Sequence, residues 1–146
     1  MATQNWLQKL DGETSFGASA GNRRKMEEFI ANDTIAVGDI VAFDTSKTGA
    51  DRVLYITKAA LVANGNGLAV GVSMDAATAG QRCRVVVGGY AESVTAHGAM
   101  ASGNLLTASG TSAGTVDGRV AADIAPAFGI TLEAGANPDC WIYPRY

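Results

Sequence analysis

The residues with the capacity for chemistry are few and scattered. The single histidine, His97, stands in Thr95-Ala96-His97-Gly98-Ala99, a small-residue loop with no acidic neighbour in sequence. General-base or ligand work needs a second polar group to hold or share the imidazole proton, so a solvated loop histidine is the better reading. Serines occur as Ser102-Gly103 and Ser109-Gly110 without a GxSxG elbow, and a Ser-His-Asp triad has no local signal. Asp39, Asp44, Asp51 and Asp75 fall at the ends of expected strands, where aspartate forms turns, and lack the DxDxDG spacing of a calcium loop. Asn64-Gly65-Asn66-Gly67 reads as a hairpin turn and lacks the GxxxxGK[ST] of a phosphate loop. Cys83 and Cys140 lack CxxC spacing and read as buried small residues, with a bridge between them left open. No catalytic, cofactor-binding or metal-ligating residue is expected, and a non-enzymatic role follows.

The elements around these residues follow from composition. At 146 residues the chain is expected to form one body with one core. Apolar residues make up 47%, but 26 are alanine and 18 further positions are glycine, so the core should be thin and β-branched. Charged residues are 17% with net charge −3, which provides no general attraction for nucleic acid or anionic lipid. No window approaches the ~18 apolar residues of a membrane span, and the first ten residues do not read as a secretion signal. Neither nucleic acid nor membrane is expected as a partner.

From Thr34 onward, short apolar runs are broken at short intervals by Gly, Asn and Asp, the pattern of a β-sandwich or barrel. Strands are expected over 37 to 43, 52 to 58, 68 to 74, 82 to 88, 90 to 95, 104 to 107, 115 to 121, 127 to 132 and 139 to 143. The fold class is therefore all-β, a compact barrel or sandwich of about eight or nine short strands. An internal duplication runs through it. Gly71-Val72-Ser73-Met74-Asp75-Ala76 matches Gly129-Ile130-Thr131-Leu132-Glu133-Ala134, and each is followed by a strand opening on Cys83 or Cys140. Upstream, Val37-Gly38-Asp39-Ile40-Val41 has a counterpart in Ser102-Gly103-Asn104-Leu105-Leu106, so two pseudo-repeated halves are expected.

Residues 1 to 33 differ in character and are read as an extended N-terminal arm, with 34 to 146 as the body. Gly12, Gly17 and Gly21 suggest a flexible stretch. Met26, Phe29 and Ile30 fall at i, i+3 and i+4 after Asn22, which predicts a short capped helix. Trp6, Leu7 and Leu10 form an apolar cluster that either staples locally to the body or anchors on a neighbouring subunit. Arg23-Arg24-Lys25 is the one dense basic run, either a solvated turn or a contact to an acidic partner surface. The stretch from residue 86 to 146 is acidic, with Arg119 and Arg145 against Glu92, Asp117, Asp123, Glu133 and Asp139, and suits a basic surface.

Gly38-Asp39-Ile40-Val41, Ala69-Val70-Gly71-Val72 with Ala79-Gly80 and Val85-Val86-Val87-Gly88-Gly89, and Gly103-Asn104-Leu105-Leu106 together resemble the small capsid decoration (cement) proteins of tailed bacteriophages. The resemblance spans roughly residues 35 to 146. It implies a β-body with an N-terminal arm, trimeric, seated on the outer capsid surface where it binds the major capsid protein and stabilises the shell by bridging subunits. It further implies a virion protein made in the host cytoplasm, with Trp6, Leu7, Leu10, Arg23, Arg24 and Lys25 of the arm meeting the capsid. The competing expectation is a carbohydrate- or cell-surface-binding β-module displayed on the virion or tail.

Overall fold

Val85-Val86-Val87 places consecutive β-branched side chains on alternate faces of a strand, so both faces must be covered. A computed structural model of the chain, describing residues 23 to 60, 69 to 119 and 127 to 144, shows how. Nine strands form: β1 Arg24–Ala31, β2 Ile40–Phe43, β3 Tyr55–Lys58, β4 Ala69–Ser73, β5 Arg82–Ala91, β6 Leu105–Ala108, β7 Val116–Gly118, β8 Gly129–Thr131 and β9 Cys140–Ile142. A 3-10 turn, Gly49–Val53, precedes β3. Among the described residues there is no α-helix, and no helix is long and apolar enough to cross a membrane.

The sheet order is β1-β3-β2-β4-β5-β9-β8-β6-β7, and β1 also pairs with β5. That pairing closes the first five strands into a barrel. All pairings are antiparallel except β1 with β3. The barrel interior holds Phe29, Ala31, Ile35, Val41, Ile56, Val70, Cys83, Val85 and Val87. Residues of opposite parity, Ile40, Ala42, Val72 and Val86, point outward from the barrel into a second core with Leu106, Ala108, Val116, Phe128, Cys140 and Ile142. Strands β2, β4 and β5 are thus buried on both faces, which is why their sequences are continuous apolar runs rather than alternating ones.

The expected duplication is present and extends to individual hydrogen bonds. In each half a turn with a positive-φ glycine precedes the leading strand: Asp39 N donates to Ala36 O (3.2 Å) around Gly38, and Asn104 N donates to Ala101 O (3.4 Å) around Gly103. The Ser73 hydroxyl donates to Ala36 O, and its counterpart Thr131 donates to Ala101 O (2.7 Å). Ile35 bridges Ala77 as Met100 bridges Gly135. The order β3-β2-β4-β5 is mirrored by β7-β6-β8-β9. The cysteines, however, are not equivalent. Ser73 pairs with Val85 where Thr131 pairs with Cys140, so Cys140 corresponds to Val85 and lies two positions out of step with Cys83.

Two expectations fail locally. The helix expected around Met26, Phe29 and Ile30 is instead β1, because a helix so short gains little by itself whereas this stretch pairs with β5 from Arg24↔Gly89 to Ile30↔Arg82. Phe29 and Ala31 then alternate into the barrel. The strand makes Arg24–Ala31 part of the barrel rather than of the arm. Residues 1 to 22, with Trp6, Leu7 and Leu10, lie outside the described residues. The strands expected over 82 to 88 and 90 to 95 are one strand, β5, running through Gly88-Gly89. Those glycines mark a close approach instead of a turn. Gly89 sits at φ +88° against the Arg23 backbone, next to the register shift between Lys25 and Met26, and Gly88 packs on the Pro144 ring.

Candidate functional site

Among the described residues the chemistry-bearing side chains do not converge. The structure brings Asp117 to His97, with Nδ1 3.5 Å from Oδ1, a neighbour supplied by β7 that the local sequence does not reveal. Both side chains are exposed. Among the described residues no three His, Cys, Asp or Glu side chains form a metal-sized cluster. Asp44, buried at the end of β2, accepts from Ser46 N (2.9 Å) and Asn32 Nδ2 (2.6 Å); the Ser46 bonds hold its carboxyl below its usual range. It is a turn former, as its position suggested. It also lines an open groove of about 360 Å³ with Phe43, Thr45, Arg52 and Val53, in which its own oxygens are already satisfied. Asp75 likewise closes a turn, taking Arg84 Nε (2.8 Å) and Nη2 (2.7 Å), and the hydrogen bond to Arg84 lowers its pKa.

Arg23-Arg24-Lys25 does not lie as one exposed basic run. The Arg24 side chain is 9% exposed, bonds Glu92 at 3.0 Å and lies over the Tyr90 ring at 5.5 Å. It ties β1 to the far end of β5. Lys25 lies 3.4 Å from Glu27, and Arg23 is exposed at the start of the described chain. The Tyr90 hydroxyl in turn donates to Asp139 Oδ2 (2.5 Å), and that bond pushes the phenol up to about 12.

The feature that sequence reasoning missed is the outer face of the second half. Cross-strand partners run Leu105↔Ile130, Ile130↔Trp141 and Trp141↔Tyr90, so one row of side chains crosses β6, β8, β9 and β5 on a single face. Their sequence neighbours Leu106, Thr131, Cys140, Ile142 and Ala91 are buried, so the row itself must point outward. Leu105 is 38% exposed and Trp141 36%. Leu132 and Tyr143, two positions along from Ile130 and Trp141, are exposed as well. An outward sheet face is ordinarily polar, and the one signal in the sequence is the alternation Cys140-Trp141-Ile142-Tyr143, in which every residue is apolar or aromatic.

No family model matches the chain, and no curated protein matches it. Among solved structures, the head fiber gp8.5 N base of bacteriophage phi29 superposes with a TM-score of 0.57, covering 83% of this chain and 94% of that one at 19% identity. The chain has the fold of this head fiber base. That coverage is more than the closed barrel alone supplies, so the likeness takes in part of the second half as well.

Within this head-fiber-base fold the two thiols are structural. Cys83 and Cys140 are free and fully buried, and burial raises both, Cys140 to about 12. Since the thiolate is the reactive form, neither is expected to react with a thiol reagent at neutral pH in the native protein, while both react after unfolding in denaturant. Stoichiometric labelling without denaturant, followed by mass spectrometry, would contradict this burial.

Proposed function

We propose that the chain is a non-enzymatic structural protein of a phage virion that binds the outer surface of the capsid and bridges neighbouring copies of the major capsid protein. The observation that carries this reading is the superposition on a phage head fiber base over nearly the whole of that chain. The rigid double-faced packing supports it. A body whose central strands are buried on both sides presents a fixed surface, and a fixed surface loses little entropy on docking. Association as a trimer multiplies a modest contact per copy through effective concentration. Trp6, Leu7 and Leu10 ahead of β1 add apolar contacts to neighbouring subunits in this reading. Neither nucleic acid nor membrane takes part, and the protein is made in the host cytoplasm before joining the particle.

Electron microscopy of purified particles tests the proposal. The expected result is density for the nine-stranded body on the outer shell, clustered in threes and touching more than one capsid subunit. Particles that contain the chain only in the interior or the tail, or that lack it, would overturn the reading.

A further inference from the structure

We propose that the row Leu105, Ile130, Trp141 and Tyr90 on the outer face of β6, β8, β9 and β5 is the docking surface of this protein, and that its occupant is a basic, apolar-centred patch on the capsid shell. The inference rests on the capsid-surface reading and assigns the face that makes the contact.

Three observations carry it. The first is register: the four side chains are successive cross-strand partners, so they form a continuous ridge rather than scattered exposed residues. The second is composition. A tryptophan and a tyrosine flanked by aliphatic side chains have the makeup of an interface centre, where desolvated aromatic anchors carry most of the affinity. The third is charge. Among the described residues from Val86 onward, Arg119 is the one cation against Glu92, Asp117, Glu133 and Asp139. Of these, Glu92 is neutralised by Arg24 from β1. Asp139 lies two positions before Trp141 on the same strand face, and Glu133 bonds its backbone amide at 3.3 Å. Asp117 pairs with Thr107, which is two positions beyond Leu105. Arg119, whose backbone amide bonds Leu105 O at 2.7 Å, stands beside the Leu105 end, so the charges bordering the ridge are Asp117, Glu133 and Asp139 against Arg119. That rim is net acidic, which favours a basic partner and speeds its approach. A glycan platform fits less well, because two of the four side chains, Leu105 and Ile130, are aliphatic and the Tyr90 hydroxyl is already spent on Asp139.

The test is a co-sedimentation titration of the full-length chain against capsid shells isolated without it, at low and high salt. Trp141→Ala and Leu105→Ser, in different strands and both at exposed positions, are expected to weaken binding about tenfold or more. Leu54→Ser, which removes a comparably exposed apolar residue from the barrel side (48% exposed), should leave binding unchanged. The paired change Asp117→Asn and Glu133→Gln should weaken binding at low salt and much less at high salt. Melting curves of all variants should stay within a few degrees of the wild type. If the wild type binds shells and the Trp141 and Leu105 variants bind equally well, this face is wrong while the capsid reading stands. If those variants instead break up a wild-type oligomer and keep their affinity for shells, the face joins copies of this chain and the assignment fails. A wild type that ignores shells and binds glycans would overturn both.

Discussion

Gly71→Ala is expected to destabilise the protein severely. Gly71 pairs with Val41 in β2 and lies directly over the β5 backbone. A Cβ there would sit 2.8 Å from the Val86 carbonyl carbon and nearer still to its oxygen, with Val85 Cγ1 at 3.0 Å. The obstacle is backbone in the middle of a closed barrel, which cannot rotate away as the end of a side chain can. The cost should reach or exceed the upper end of the ~1–3 kcal/mol typical of overpacking, lowering the thermal midpoint by roughly 10 °C or preventing soluble expression. Gly98→Ala is the matched control, because a Cβ at Gly98 meets nothing within 4 Å. Equal melting temperatures for the two variants would show that β4 and β5 are not held this closely. A Cβ added at Gly129, the counterpart in the second half, would meet Trp141 O at 2.7 Å, so the same close crossing of backbones recurs where the duplication places it.

Leu106→Ala is expected to cost about 2–5 kcal/mol, the range for truncating a fully buried leucine. Its neighbour Leu105, 38% exposed on the opposite face, should cost under about 1 kcal/mol when truncated, since little of it is removed from water. The shape of the transition is as informative as its position. Leu106 belongs to a core built jointly by Ile40, Val72 and Val86 of the first half and Phe128, Cys140 and Ile142 of the second. Loosening that core should weaken both halves together, so chemical denaturation of the variant is expected to remain one transition with coincident tryptophan fluorescence and far-ultraviolet circular dichroism. Two separated transitions would mean that the halves fold independently and that the shared core contributes little.

Much of the architecture was legible without coordinates, for identifiable reasons. Turn glycines such as Gly38 and Gly103 announce themselves because few other residues tolerate positive φ, and β-branched runs such as Val85-Val86-Val87 announce strands. The duplication was legible because each half needs the same glycine at its strand crossing and the same hydroxyl, Ser73 or Thr131, to bond the turn before its leading strand. Other features depended on partners distant in sequence. Met26, Phe29 and Ile30 satisfy a helical period, whereas the strand buries Phe29 with Ala31 and leaves Met26 exposed, and only the edge of β5 decided between the two. Gly88-Gly89 has the composition of a turn, and only the crossing of the Arg23 backbone and the Pro144 ring made it the middle of a strand. Cys83 and Cys140 seemed equivalent by spacing until the register of β8 on β9 set them two positions apart. Above all, a strand's two faces are chemically alike in a run such as Cys140-Trp141-Ile142-Tyr143. Which face is core and which meets solvent is set by the sheet that packs against it, so the exposed ridge through Trp141 exists only in the folded chain.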